Sequence, residues 1–118
     1  MLSQKEFSKV VEEALKGLPQ EFLDVLDNIA VVVEEEPAEE DLEVEGFDPD
    51  DELLGIFRGT ALTDRSFDGS DLPSQIVIFR GPVLRCCETS EEAIEEIRDT
   101  VVHELGHYFG LDDHEMPF

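Results

Sequence analysis

The sequence holds no tryptophan, one tyrosine, two cysteines and three histidines in 118 residues. The cysteines, Cys86 and Cys87, are adjacent and badly placed to bridge each other, so no disulfide framework is expected and a reducing cytoplasm is the expected location. Long hydrophobic runs are also missing. The longest strongly apolar stretch, Ile29 to Val33, falls far short of the roughly 20 residues that span a bilayer, and the N-terminal residues lack the basic-then-apolar layout of a signal peptide. Scarcest of all is positive charge: 8 Lys and Arg stand against 31 Asp and Glu, a formal net charge of -23. Such a surface repels phosphate backbones and anionic lipid headgroups, which counts against nucleic-acid and membrane partners and favours basic peptide segments.

What is present suffices for a folded chain. Hydrophobic residues make up 41% of the sequence, and the length suits a single domain over residues 1–118. Ser3 followed by Glu6 is a capping-box signature, and Phe7, Val10, Val11, Ala14 and Leu15 then fall on one helical face. Gly17 and Pro19 end that helix, and a short second one starts at Pro19. A β-branched strand through Ala30 to Val33 stops before Pro37. Between residues 34 and 52, twelve of nineteen residues are acidic and none is basic, with Pro37, Gly46 and Pro49 as breakers, so a solvated loop is expected there.

Two further strands are expected over Leu53–Gly59 and Ser74–Gly81. Both end in Ile-Phe-Arg-Gly, which reads as a buried strand finishing in a polar turn. A minor reading sets Arg58 or Arg80 near a substrate carboxylate or a developing oxyanion.

All three histidines lie within the twelve residues from His103 to His114. A helix opens at Thr89, with Glu92 completing a second capping box, and Ile94, Ile97, Val101, Leu105 and Tyr108 follow at steps of three and four as its core stripe. At about 100° per residue, His103 and His107 lie one turn apart on a face roughly opposite that stripe, and Tyr108 on the stripe is expected to pack in the core. Histidines at i and i+4 can bring their nitrogens about 3 Å apart around one zinc ion, each at the roughly 2.0–2.1 Å from the metal that Zn–N bonds require. Glu104 is then the natural carboxylate to take a proton from a water that the metal acidifies.

This is an H-E-x-x-H arrangement, and its continuation sharpens it. Gly110 sits where a residue with positive φ would reverse the chain, and Asp113 arrives three residues later as a third ligand from outside the helix. His114 is the alternative third ligand, because histidine is the commoner zinc ligand, with Asp112 behind it.

The whole pattern, H-E-x-x-H-x-x-G-x-x-D, resembles the zincin metallopeptidases, and specifically the short bacterial zincin-like metallopeptidase family. The order of the segments "ALKGLP", "NIAVVVEEEP", "LLGIFRG", "QIVIFRGP" and "TVVHELGHYFGLDD" extends the resemblance over nearly the entire chain. It implies an α+β minimal zincin: a small twisted mixed β-sheet packed on helices, with a C-terminal active-site helix. It also implies Zn²⁺ held by His103, His107 and Asp113, Glu104 as general base, and a peptide or protein substrate. Larger zincins bind that substrate by strand addition to a sheet edge, a part that "LLGIFRG" could play.

The chain departs from the metzincins in having Asp113 where they carry histidine, and Met116 is too close to the motif to be their Met-turn. A shallow cleft and weak or narrow activity are implied. The ending "GLDDH" also resembles the metallo-endoribonucleases of rRNA maturation, although Glu104 and the negative charge argue against RNA cleavage. A third reading is a non-catalytic zinc or peptide-binding module, against which an intact general base argues.

Overall fold

The first helix begins where the capping box puts it. In a computed structural model describing residues 3–27, 29–45, 52–59 and 74–109, the Ser3 hydroxyl accepts from the Glu6 N–H at 3.2 Å, and the Glu6 carboxylate accepts from the Ser3 N–H at 3.4 Å. Helix α1 then runs Gln4–Lys16, with Gly17 as its C-cap, and buries Phe7, Val10, Val11 and Ala14. Helix α2 follows over Gln20–Leu26, with Pro19 as its N-cap. No helix among the described residues is long and apolar enough to cross a membrane.

Three strands form one mixed sheet in the order β1-β3-β2. Strand β1 (Ala30–Glu34) pairs parallel with β3 (Gln75–Phe79), and β2 (Gly55–Arg58) pairs antiparallel with β3 on its other side. Ile76, Val77, Ile78 and Phe79 are all fully buried, because a central strand covered on both faces has no solvent side. Ile76 and Ile78 face the main core beside Phe7, Val11 and Ala14 of α1. Val77 and Phe79 face a smaller cluster with Leu53 and Ile56, against which Val32 and Leu42 pack. The architecture is the α+β fold with a small mixed sheet that the sequence implies.

The acidic segment differs from the expected solvated loop. Residues Glu39–Glu45 form helix α3, and the glutamates before it are engaged with arginines. Glu34, Glu35 and Glu36 each take a different arginine: Arg58 at 2.8 Å, Arg80 at 2.8 Å and Arg85 at 2.7 Å. Arg58 also binds Asp41 of α3 at 2.8 Å, and Arg85 binds Glu52 at 2.9 Å. Asp41 accepts from the Ala38 N–H as well, at 3.0 Å, which closes the first turn of α3. Helix formation follows because one guanidinium neutralises the negative end of this segment and pins it over the sheet.

The second Ile-Phe-Arg-Gly also ends differently from the first. Strand β3 stops at Phe79, and Arg80 and Gly81 open helix α4 (Arg80–Cys86). Pro82 lies in the first turn of α4, where a missing N–H breaks no intrahelical bond, so a proline that reads as a breaker sits inside a helix. Arg58 and Arg80 are therefore committed to glutamates of the acidic segment rather than to a substrate.

Candidate metal centre

Helix α5 (Ser90–Tyr108) carries the histidines. Thr89 caps it by accepting from the Glu92 N–H at 3.1 Å, and Glu91 and Glu92 in the first turn complement the positive end of the helix dipole. Ala93, Ile97, Val101, Leu105 and Tyr108 form the buried side. Tyr108 packs edge-on against Phe57 of β2, with ring centroids 5.8 Å apart, in keeping with its expected core role. The C-terminal cap is Phe109, whose N–H reaches back to the carbonyls of Leu105 and His107.

Strand β2 comes unusually close to this helix. A Cβ added to Gly55 would stand 2.6 Å from Cγ2 of Thr100 and 2.8 Å from the carbonyl oxygen of Val77. Only glycine fits between the helix and the neighbouring strand at that point, one turn before His103. The histidine-bearing helix is thus seated directly on strand β2.

His103, Glu104 and His107 come together on α5, with one candidate ligand atom from each lying within 4.8 Å of the others. The two imidazole centroids are 5.0 Å apart with their planes at 78°. Glu104 is buried, at 3% exposure, and its carboxylate lies 4.0 Å from Nε2 of His107. The histidines are half-buried rather than fully turned to solvent, and His103 shares a cleft with Leu18 and Pro19 of the turn between α1 and α2. Two imidazoles and a carboxylate in such proximity suit a borderline-soft divalent metal such as zinc. Among the described residues no other cluster of metal-ligating side chains is found.

Asp113 and His114, the two candidates for a third ligand, lie outside the described residues, as do Asp112 and Gly110. One residue near the site had no motif to reveal it. Arg98, one turn and a half before His103, lines the same cleft as that histidine. The only sequence signal was the rarity of arginine itself.

A sequence model of the zincin-like metallopeptidases matches residues 26–117. Among solved structures, a conserved hypothetical protein from Thermus thermophilus superposes with a TM-score of 0.59. The match covers 92% of this chain and 94% of the other at 19% identity, a likeness of fold alone. No curated protein matches the sequence.

Proposed function

The chain belongs to the zincin-like metallopeptidase family, and on that premise we propose that it is a zinc-dependent peptidase hydrolysing peptide bonds with Glu104 as general base. The observation carrying this reading is the grouping of His103, Glu104 and His107 on one helix, their ligand atoms within 4.8 Å. His103 and His107 hold the metal. Asp113 would supply a third ligand, with His114 as the alternative. A zinc ion held there would lower the pKa of a water toward about 7 and polarise a carbonyl.

The remaining chemistry belongs to the chain. Glu104, one residue after a ligand and enclosed by protein, takes the proton of the attacking water and returns it to the leaving amine. Its burial keeps bulk water from competing for that proton and strengthens its interactions in the lower local dielectric. Strand β2 pairs with β3 on one side only among the described residues and packs against α5 on the sheet edge. An extended peptide added along that edge runs past the histidines, with its amides satisfied by main-chain bonds. The net charge of -23 favours substrates with basic segments and repels RNA, which leaves the ribonuclease reading without support.

The test is digestion of a diverse peptide pool by zinc-loaded protein, read by mass spectrometry, beside a Glu104→Gln control. Cuts made only by the unmutated protein are the expected result. A protein shown to hold one zinc that cuts nothing in the pool would instead indicate a binding module.

A further inference from the structure

Four arginines lie among the described residues of this very acidic chain, and three of them are bound to carboxylates: Arg58 to Glu34 and Asp41, Arg80 to Glu35, Arg85 to Glu36 and Glu52. Arg98 is the exception. Its Nε donates to the carbonyl oxygen of Ala14 at 3.1 Å, reaching across to the C-terminal turn of α1. The outer end of the guanidinium lies against Gly17, in the space that a Cβ there would take. No carboxylate among the described residues lies within ion-pairing distance of it, although Asp99 follows directly in sequence. Adjacent helical residues do not face each other, and Asp99 is exposed to solvent. The guanidinium therefore makes one neutral hydrogen bond and no ion pair among the described residues.

Arg98 borders a cleft of about 500 Å³ that is also lined by Leu18, Pro19, Asp99, Val102 and His103. Its walls are apolar at Leu18, Pro19 and Val102, and His103 is part of the same lining. The cation in that lining is an arginine without an acidic partner among the described residues. A planar guanidinium presents a fork of N–H groups matched to a carboxylate, and a fork already oriented loses little freedom on binding one.

We infer that Arg98 is a specificity-determining residue that binds a carboxylate of the peptide lying at His103, contributed either by an acidic side chain or by the peptide's own C-terminus. The inference rests on the peptidase reading above. Arg98 and His103 are five positions apart on α5, about 7.5 Å along the axis and about 140° around it, and the cleft they both line is where one peptide could meet both. The acidic surface draws in basic segments at long range, and Arg98 selects an acid locally.

The test compares paired peptides on the zinc-loaded full chain: Glu against Gln at positions flanking the cut, and a free C-terminal acid against its amide. The expected result is about a tenfold higher kcat/KM for the carboxylate member of one pair, the usual worth of a charge-assisted hydrogen bond. Which pair responds identifies the source of the carboxylate. Arg98→Gln should abolish the preference, bringing the two members of the pair to equal rates, whereas a merely structural arginine would slow both members equally and leave their ratio unchanged. Gly17→Ala, which displaces the guanidinium without removing it, should weaken the same preference. Equal rates within every pair, or a preference that survives both variants, would overturn the inference, and the wild-type comparison stands even if a variant fails to fold.

A second readout needs no turnover. In metal-free protein the Arg98 Nε–H resonance should shift saturably with N-acetylglutamate or N-acetylalanine and not with their amides. No shift with either acid sinks the carboxylate site even if peptides are cut. A shift in a protein that cuts nothing keeps the site and removes the peptidase reading instead.

Discussion

Glu104 and Gly55 carry the residue-scale consequences. Glu104 is at 3% exposure on a helix whose other glutamates, Glu91, Glu92, Glu95 and Glu96, are exposed. Glu104→Gln keeps the shape and removes the basic oxygen, so the variant should fold and retain zinc while turnover falls by about 10²- to 10⁴-fold, the usual worth of a general base. Metal analysis and thermal unfolding of the same sample separate these effects. At Gly55 the expected effect is on stability. A methyl group at position 55 meets the carbonyl oxygen of Val77 and Cγ2 of Thr100, neither of which can yield without moving β3 or α5. Gly55→Ala should cost about 1–3 kcal/mol, the usual penalty of overpacking, as measured by urea denaturation. Gly17→Ala, which meets only the end of the Arg98 side chain, should cost clearly less.

The elements divide by how far away the forces that form them lie. Helices α1 and α5 and strand β1 were legible because their signals are local: Ser3 with Glu6, Gly17, Thr89 with Glu92, and apolar residues at the right period. Helix α3 was not. Its sequence, Glu-Glu-Asp-Leu-Glu-Val-Glu, sets like charges four apart and has no basic residue of its own. It exists because Arg58, seventeen positions away, binds Asp41 and Glu34 together. Helix α4 was hidden by Gly81 and Pro82, which read as breakers until their place in its first turn is known.

The site followed the same division. His103, Glu104 and His107 are an i, i+1, i+4 set that one helix brings together. Arg98 gains its meaning only from Ala14, eighty-four residues earlier.

The dependence of α3 on one ion pair gives a prediction with a sign. Burial raises the Asp41 carboxyl, but hydrogen bonds from Arg58 and the Ala38 N–H outweigh it, leaving Asp41 below its ordinary 3.8. A folded pKa below the unfolded one contributes stability that is fully present above the unfolded value and lost as pH falls through the folded one. Glu36, lowered by hydrogen bonds from Arg85, acts in the same direction. Stability should therefore decline as pH drops below about 4. Arg58→Met should flatten that decline, and at pH 7 it should cost about 1–3 kcal/mol for the charged hydrogen bonds removed. Denaturation series at several pH values, with helix content read by circular dichroism, test both parts.

At the scale of the whole molecule, 31 acidic residues against 8 basic ones make self-repulsion the dominant long-range term. The ion pairs around Glu34 to Glu36 consume local charge but leave most of the surface negative. Added salt screens repulsion beyond a Debye length of about 8 Å at 0.15 M. The midpoint of thermal unfolding should thus rise by several degrees between low and moderate sodium chloride, even though the exposed pairs weaken. A midpoint that falls with salt would show that the arginine clasps outweigh the net charge.

The contact between α1 and α5 bears on how the protein is made. The earliest described helix and the latest one share the main core, and the Arg98 bond to Ala14 ties them together. Strand β3, which both helices cover, comes only after β1 and β2 have been synthesised. A nascent chain on the ribosome thus carries α1, with Phe7 and Val11 uncovered, until α5 emerges. Folding is late and non-local, a regime in which rates are slow and exposed apolar surface invites chaperones.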